Sequence, residues 1–228
     1  MTRVFVILAA LGAATIASPA LADDDARLSV GITGGTLGIG PEIGYRLSKN
    51  FGVRANASFL SISHNIDSDN ITYDGKVKLQ SGGAMVDVYP FGGGFRVSGG
   101  VRINGNKARG IGTPTGGTFD INGTSYDATT LVTSVRADTD IEDVAPALTL
   151  GYGGGTSSGL IFGVEAGALF QGSVKIKPLT ISGTCATSTA GPCANIAADL
   201  EAERQSVNDD IDGYKVYPIL QVTVGYRF

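Results

Sequence analysis

The sequence has no Trp, a single His and only two Cys among its 228 residues. That inventory leaves little for a Cys/His zinc site, an iron–sulfur cluster or a haem, so no metal or cofactor is expected. Charged residues make up 17% of the chain, against about 25% in ordinary soluble domains. The net charge is −4, which argues against the basic face of a nucleic-acid binder. Beyond the N-terminus no apolar run reaches the 18 residues that a spanning helix needs. Glycine is what the chain has in excess: 34 residues, about twice the usual share. Mean hydropathy is nevertheless +0.16. A chain this apolar and glycine-rich, yet without spanning helices, points to a β-barrel in an outer membrane.

The N-terminus reads as an export signal. Arg3 supplies a positive start, residues 4–14 an apolar stretch too short to cross a bilayer, and Ser18-Pro19-Ala20-Leu21-Ala22 a cleavage site. The expected organisation is a signal peptide over residues 1–22 and a barrel over residues 23–228. Export implies an oxidising compartment, so Cys185 and Cys193 are candidates for one disulfide; two free thiols are the alternative.

Period-2 alternation runs through the remaining chain. Phe95, Val97, Val101 and Ile103 share one face, with Arg96, Ser98, Gly100 and Arg102 on the other. Near the end, Val216, Pro218, Leu220, Val222, Val224, Tyr226 and Phe228 lie opposite Lys215, Tyr217, Gln221, Thr223 and Arg227. Eight strands are expected, at 28–35, 39–47, 51–64, 72–90, 95–110, 137–152, 160–181 and 214–228. Short turns at 48–50, 92–94 and 153–159 alternate with long polar connections at 111–136 and 182–213. Short periplasmic turns and long external loops are characteristic of outer-membrane barrels. Tyr45, Phe51, Phe91, Phe95, Tyr152, Phe162, Tyr226 and Phe228 cluster at the short-turn end as an interfacial girdle. Phe59, Tyr73, Phe170 and Tyr214 are candidates for the upper girdle. One helix is expected at 194–206, inside the last external loop.

Catalytic constellations are weak. His64 follows Ser61 and Ser63, and some outer-membrane barrels are lipid A esterases with Ser, His and an acid. His64 falls on the lumen parity of Arg54, Asn56 and Ser58, however, whereas a lipid-cleaving group should face the bilayer. It reads as a loop histidine, and no enzyme activity is expected. Asp67, Asp69 and Asp74 offer oxygen ligands but lack the glycine and bidentate glutamate of an EF-hand loop, and neither they nor the run Asp138, Asp140, Glu142 and Asp143 has the regular repetition of a calcium-binding repeat. Both read as hydrated acidic loops.

The inward parity is more informative. It gathers Glu42, Arg46, Arg54, Asp87, Arg96, Arg102, Glu165 and Arg227 as lumen-lining residues. Charges are costly in hydrocarbon, so these must face inward. An eight-stranded barrel is only just wide enough to be filled by side chains. On physical grounds a plug of Arg–carboxylate pairs is favoured over a charged conduit. The five arginines exceed the three carboxylates, so part of the lumen should be wet.

Several segments resemble a small outer-membrane channel family, the carbapenem-associated outer-membrane proteins of Gram-negative bacteria. They are Asp120-Ile121-Asn122-Gly123-Thr124-Ser125-Tyr126, Asp143-Val144-Ala145-Pro146-Ala147-Leu148-Thr149-Leu150-Gly151, and Gly163-Val164-Glu165-Ala166-Gly167-Ala168 continuing to Lys175. The block from Asp87 through Tyr89-Pro90-Phe91 to Gly100 resembles proteobacterial outer-membrane proteins more widely. The resemblance implies an outer-membrane porin: a narrow channel for small hydrophilic solutes, basic amino acids among them. A closed structural or surface-interaction barrel is the alternative. The terminal strand, with Val224, Tyr226 and Phe228 in step, resembles the signal read by the barrel-insertion machinery. Expected partners are therefore that machinery, outer-membrane lipids and small solutes.

Overall fold

Alternating apolar and polar residues build antiparallel strands whose two faces differ in chemistry. The computed structural model describes residues 26–68, 71–153 and 157–228. The expected signal segment, part of the acidic 67–70 run and part of the 153–159 turn lie outside the described residues. The chain begins with strands β1 (Leu28–Gly35), β2 (Gly38–Arg46), β3 (Phe51–Ser68), β4 (Ile71–Val88) and β5 (Phe95–Asn104). It continues through β6 (Lys107–Pro114), β7 (Thr118–Ile121), β8 (Thr124–Asp127) and β9 (Ser134–Asp140). Then come β10 (Val144–Gly153), β11 (Gly159–Phe170), β12 (Lys175–Ile176), β13 (Thr180–Ser182), helix α1 (Ile196–Ile211) and β14 (Val216–Arg227).

Eight of these strands close a ring in the order β1-β2-β3-β4-β5-β10-β11-β14. β14 pairs back onto β1 from Ser29↔Arg227 to Gly35↔Gln221. Every neighbouring pair is antiparallel. The fold is thus an eight-stranded antiparallel transmembrane β-barrel. Closure satisfies the backbone N–H and C=O groups that an open edge would leave bare in hydrocarbon. Val30, Ile32, Ile43, Val86, Val101, Leu148, Leu150, Val222 and Val224 project outward and are exposed. An apolar band of this extent suits lipid and not water. At the short-turn end Tyr226 and Phe228 pack with ring centroids 4.9 Å apart, and Phe91 and Phe95 lie 5.9 Å apart.

The ends of three expected strands differ from the sequence reading. The segment 95–110 breaks at Gly105-Asn106, where the Gln80 carbonyl accepts from Gly105 N at 2.8 Å and Gln80 N donates to Asn106 Oδ1 at 2.9 Å. Beyond the break β6 keeps the same register on β4, from Lys78↔Lys107 to Ile71↔Pro114. The segment 137–152 divides into β9 and β10, and β11 stops at Phe170 before Gly172, whose φ of 71° ends the strand. Part of the expected polar loop 111–136 is therefore strand. β3 and β4 are 18 residues each, about twice what crosses a bilayer, so their upper halves stand above the membrane. There β6 and β9 extend them into an external sheet, with β12 and β13 on β9. Tyr73 sits high on that sheet, opposite Gly112 and on the inward parity, so it is not part of a bilayer girdle.

A small external core lies beside this sheet. The β7–β8 hairpin turns through Asn122-Gly123 with φ of 49° and 77°, the positive values that an Asn-Gly hairpin turn requires. Ile121, Tyr126, Val132, Cys185, Cys193 and Ile196 pack together. Cys185 and Cys193 are joined by a disulfide, with Cα atoms 5.2 Å apart. Helix α1 begins two residues later than the expected 194–206 and runs further, to Ile211. Tyr126 Oη donates to Asp199 Oδ2 at 2.6 Å, and Asn122 N donates to Glu203 Oε2 at 3.1 Å, tying the hairpin to the helix. Burial and the Asp199 carboxylate push the Tyr126 phenol up to about 12. The phenol's hydrogen bond in turn holds the Asp199 carboxyl below its usual range.

Arg in place of Val222, which is 55% exposed in the middle of β14, should destabilise the inserted barrel by about 2–4 kcal/mol. The measurement is urea unfolding in lipid vesicles followed by far-ultraviolet circular dichroism, because the chain has no Trp to report. Stability equal to wild type would show that Val222 does not face lipid.

Candidate functional site

The interior of the ring is the place where charged side chains converge. Strand pairing brings Glu42 on β2, Arg54 on β3, Asp87 on β4, Arg96 on β5 and Glu165 on β11 to one level of the lumen. Arg54 is the centre. Its Nε donates to Asp87 Oδ2 at 3.0 Å, and its Nη2 to Asp87 Oδ1 at 3.2 Å. Its Nη1 lies 3.1 Å from Glu42 Oε2 and 2.7 Å from Glu165 Oε2. One guanidinium thus meets all three lumen carboxylates. Arg96 Nη2 donates to the same Glu165 oxygen at 2.7 Å. Tyr89 Oη reaches Asp87 Oδ2 at 3.4 Å.

The other arginines are held by neutral groups. Arg102 donates to Asn56 Oδ1 at 2.8 Å and to Ser81 Oγ at 2.9 Å. Arg46 Nη2 donates to the carbonyls of Lys49, Gly92 and Gly93 at 2.9–3.0 Å, and its guanidinium stacks 3.8 Å above the Tyr89 ring. It ties two of the short turns together across the lower mouth. Arg227 Nε and Nη1 meet no acceptor among the described residues. Glycine makes room for these large heads. A Cβ on Gly83 would lie 2.8 Å from Arg102 Nη1, and one on Gly151 2.9 Å from Arg96 Nε. Arg102 thus stands outside the Arg–carboxylate pairs expected of the plug, since its partners are an amide and a hydroxyl.

Above the charged level lies an apolar layer that the charge pattern did not reveal. Leu37, Met85, Ala145, Ala147, Leu169 and Ile219 are buried together, with Tyr217 against them. Leu37 comes from the short β1–β2 turn, which folds into the barrel mouth. Tyr217 Oη donates to the Thr36 carbonyl at 2.6 Å, and Thr36 Oγ1 to the Pro218 carbonyl at 2.9 Å, pinning that turn to β14. Met85, Leu169 and Ile219 lie on the inward parity of Asp87, Glu165 and Gln221, so the alternation held the signal.

Among the described residues of the lumen little space remains. A void of about 30 Å³ lies between Arg54 and the lower mouth, beside Arg46, Arg96 and Arg227. A second, of about 10 Å³, lies between the charged level and the apolar layer, beside Arg102 and Gln221. The larger has room for a water or two, whereas small-molecule sites need roughly 300 Å³ or more. Unpaired N–H groups of Arg46, Arg96, Arg102 and Arg227 abut these voids. His64 stands exposed on the external part of β3. Among the described residues no group of His, Cys, Asp and Glu is arranged to hold a metal.

No protein-family model matches the chain, and no curated protein sequence matches it. Among solved structures the chain is similar to Acinetobacter baumannii CarO. The TM-score is 0.57 at 20% identity, over 89% of this chain and 98% of that one. It is also similar to Acinetobacter baumannii CarO2, with a TM-score of 0.56 at 17% identity, over 90% of this chain and all of that one. The shared feature is the fold. At this identity lumen chemistry does not carry over, so the site stands on its own geometry.

Arg54→Ala should cost the barrel about 3–5 kcal/mol, because three carboxylates then share a buried level with Arg96 alone. Arg102→Ala removes hydrogen bonds to neutral partners and should cost less, about 1–3 kcal/mol. Chemical unfolding of both variants in the same vesicles gives the comparison. Equal losses would show that Arg54 is not the centre of the network.

Proposed function

We propose that the protein is an outer-membrane barrel of a Gram-negative bacterium, sealed along its axis, that serves as a membrane platform for its external sheet and loops. The observation that carries this reading is the filled lumen. Arg46 over Tyr89 closes the lower mouth, the Arg54 network fills the middle, and Leu37, Met85, Leu169 and Ile219 close the top. A hydrophilic solute would have to part all three levels. The middle one resists, because separating Arg54 from its carboxylates leaves unpaired buried charges.

A narrow porin-like channel for small hydrophilic solutes, basic amino acids included, is the second reading. The unpaired guanidinium N–H groups beside the two voids favour it, since such donors call for water. Passage would then proceed through rearrangement of the arginines and be slow. Liposome swelling with lysine, glutamate and arabinose, together with single-channel recording on the refolded barrel, separates the two. The sealed platform predicts no swelling and no conductance steps from protein whose heat-dependent gel mobility shows it folded. Solute-specific swelling would overturn the seal and establish the channel.

Membrane placement generates a further expectation. Phe228, 62% exposed and packed on Tyr226, ends a strand in which Val224 and Tyr226 share its face. We assign this pattern to recognition by the barrel-insertion machinery. Deleting Phe228 should lower the amount reaching the outer membrane several-fold and raise periplasmic degradation. Unchanged surface abundance would remove that role.

A further inference from the structure

The outward faces of β3 and β4 change chemistry where they leave the bilayer. Their pairing runs without a slip from Phe51↔Val88 to Ser68↔Ile71, so residues of one parity stay on one face throughout. Val88, Val86 and Ala84 occupy the lipid-facing parity of β4; the same parity continues upward through Gln80 to Lys78 and Lys76. On β6 that face carries Lys107, opposite Lys78, and Arg109, opposite Lys76. On β9 it carries Asp138, opposite Arg109, and two residues earlier Arg136; Lys177 follows β12, its N–H donating to the Asp138 carbonyl.

Six cations therefore share one external face of a chain whose net charge is −4. Asp138 and Asp140 pair with them, whereas Asp74 and Asp67, higher on the same parity of β4 and β3, do not. Asp138 is shared by Arg109 at 2.6 Å and Arg136 at 2.7 Å, and Asp140 lies 3.3 Å from Lys177. Lys76, Lys78 and Lys107 have no carboxylate partner among the described residues. Two like-charged pairs, Lys78↔Lys107 and Lys76↔Arg109, face each other directly across the strands. Such pairs are destabilising unless an anion lies between or above them. The six side chains surround a depression of about 410 Å³.

Height identifies the anion. Gln80 pairs with Phe59, the last outward aromatic of β3. At about 3.4 Å per residue and a tilt near 45°, Lys78 and Lys76 stand ~5 and ~10 Å above that pair. The headgroup layer outside a hydrocarbon core is ~5–8 Å thick, so Lys78 stands within it and Lys76 just above it, with a side chain long enough to reach down. We infer that this face binds the phosphates of a phosphorylated glycolipid of the outer leaflet, with Lys76, Lys78 and Lys107 as the principal contacts. The inference rests on the outer-membrane placement proposed above. A free anionic solute would not need the cations on the lipid-facing side; a lipid phosphate does.

The test compares wild type with a Lys76→Gln/Lys78→Gln/Lys107→Gln variant and a Lys49→Gln control at a short turn. Fluorescent diphosphorylated lipid A is titrated onto each refolded barrel, with dephosphorylated lipid A and inorganic phosphate as competitors. Each basic side chain at an anionic surface contributes roughly fivefold, so the triple variant should bind about a hundredfold more weakly while Lys49→Gln binds as wild type. Neither competitor should displace the probe at concentrations where unlabelled lipid A does. Equal affinity of the triple variant and wild type overturns the inference, as does equal competition by the dephosphorylated lipid. Displacement by inorganic phosphate at matching concentration would show a free-phosphate site instead. Insertion of wild type into vesicles of zwitterionic phospholipid is measured in parallel. Failure there would sink the membrane reading itself, whereas insertion without phosphate preference sinks this inference alone.

Discussion

The constraint on which the structure depends is that backbone polar groups cannot stay unpaired in hydrocarbon. It forces β14 back onto β1 and so turns a set of hairpins into a ring. With eight strands the ring is narrow, and among the described residues the side chains of its interior leave only small voids. The lumen then has to be chemically closed as well. Charges excluded from the lipid face are confined to that narrow space, where an unpaired charge is costly. Arg54 resolves most of this by meeting Asp87, Glu42 and Glu165 at once. Arg46 and Arg102 use carbonyls, an amide and a hydroxyl in place of carboxylates. The arginine excess is accommodated by neutral acceptors and small voids, and no open conduit is needed to account for it.

Much of this was legible in the sequence, for reasons that can be named. Period-2 alternation assigns faces, so Val101, Leu148 and Val222 were readable as outward and Arg54, Asp87 and Glu165 as inward. Hydrocarbon tolerates so few charges that the inward set is nearly self-selecting. Partnerships were not legible, because parity gives the face and not the height, and the meeting of Arg54 with Glu165 depends on the stagger around the ring. The apolar layer escaped for a different reason. Leu169 and Ile219 lie on the inward parity, but an apolar residue on either face of a barrel strand raises no alarm. Leu37 lies in a two-residue turn, where alternation has nothing to say.

The strand ends beyond the bilayer are less legible in the sequence. Alternation continues from β5 into β6 across Gly105-Asn106 because the register on β4 is kept, so sequence alone sees one strand where there are two. The 18-residue length of β3 and β4 is the clue that part of the sheet lies outside the membrane. In water an antiparallel sheet has no need to close, and the ring opens into an extension through β6 and β9.

The same two strands thus serve two solvents, and the transition is written in their side chains. On the outward parity of β4, valine and alanine give way to glutamine and then to lysine within about ten residues, with no change of backbone pairing. The inward parity changes in the opposite sense. Below it carries Arg54, Asp87 and Ser58; above it carries Leu60, Ile62 and Val77, which are exposed. A strand that merely continued into water would be expected to become polar on both faces. Here polarity is exchanged between faces, the outer becoming polar, with lysines first on β4, as the inner turns apolar. That exchange costs exposed apolar area and facing like charges, neither of which the barrel requires. It is intelligible if the outer face meets anions at the rim of the bilayer, which is where the register carries its lysines.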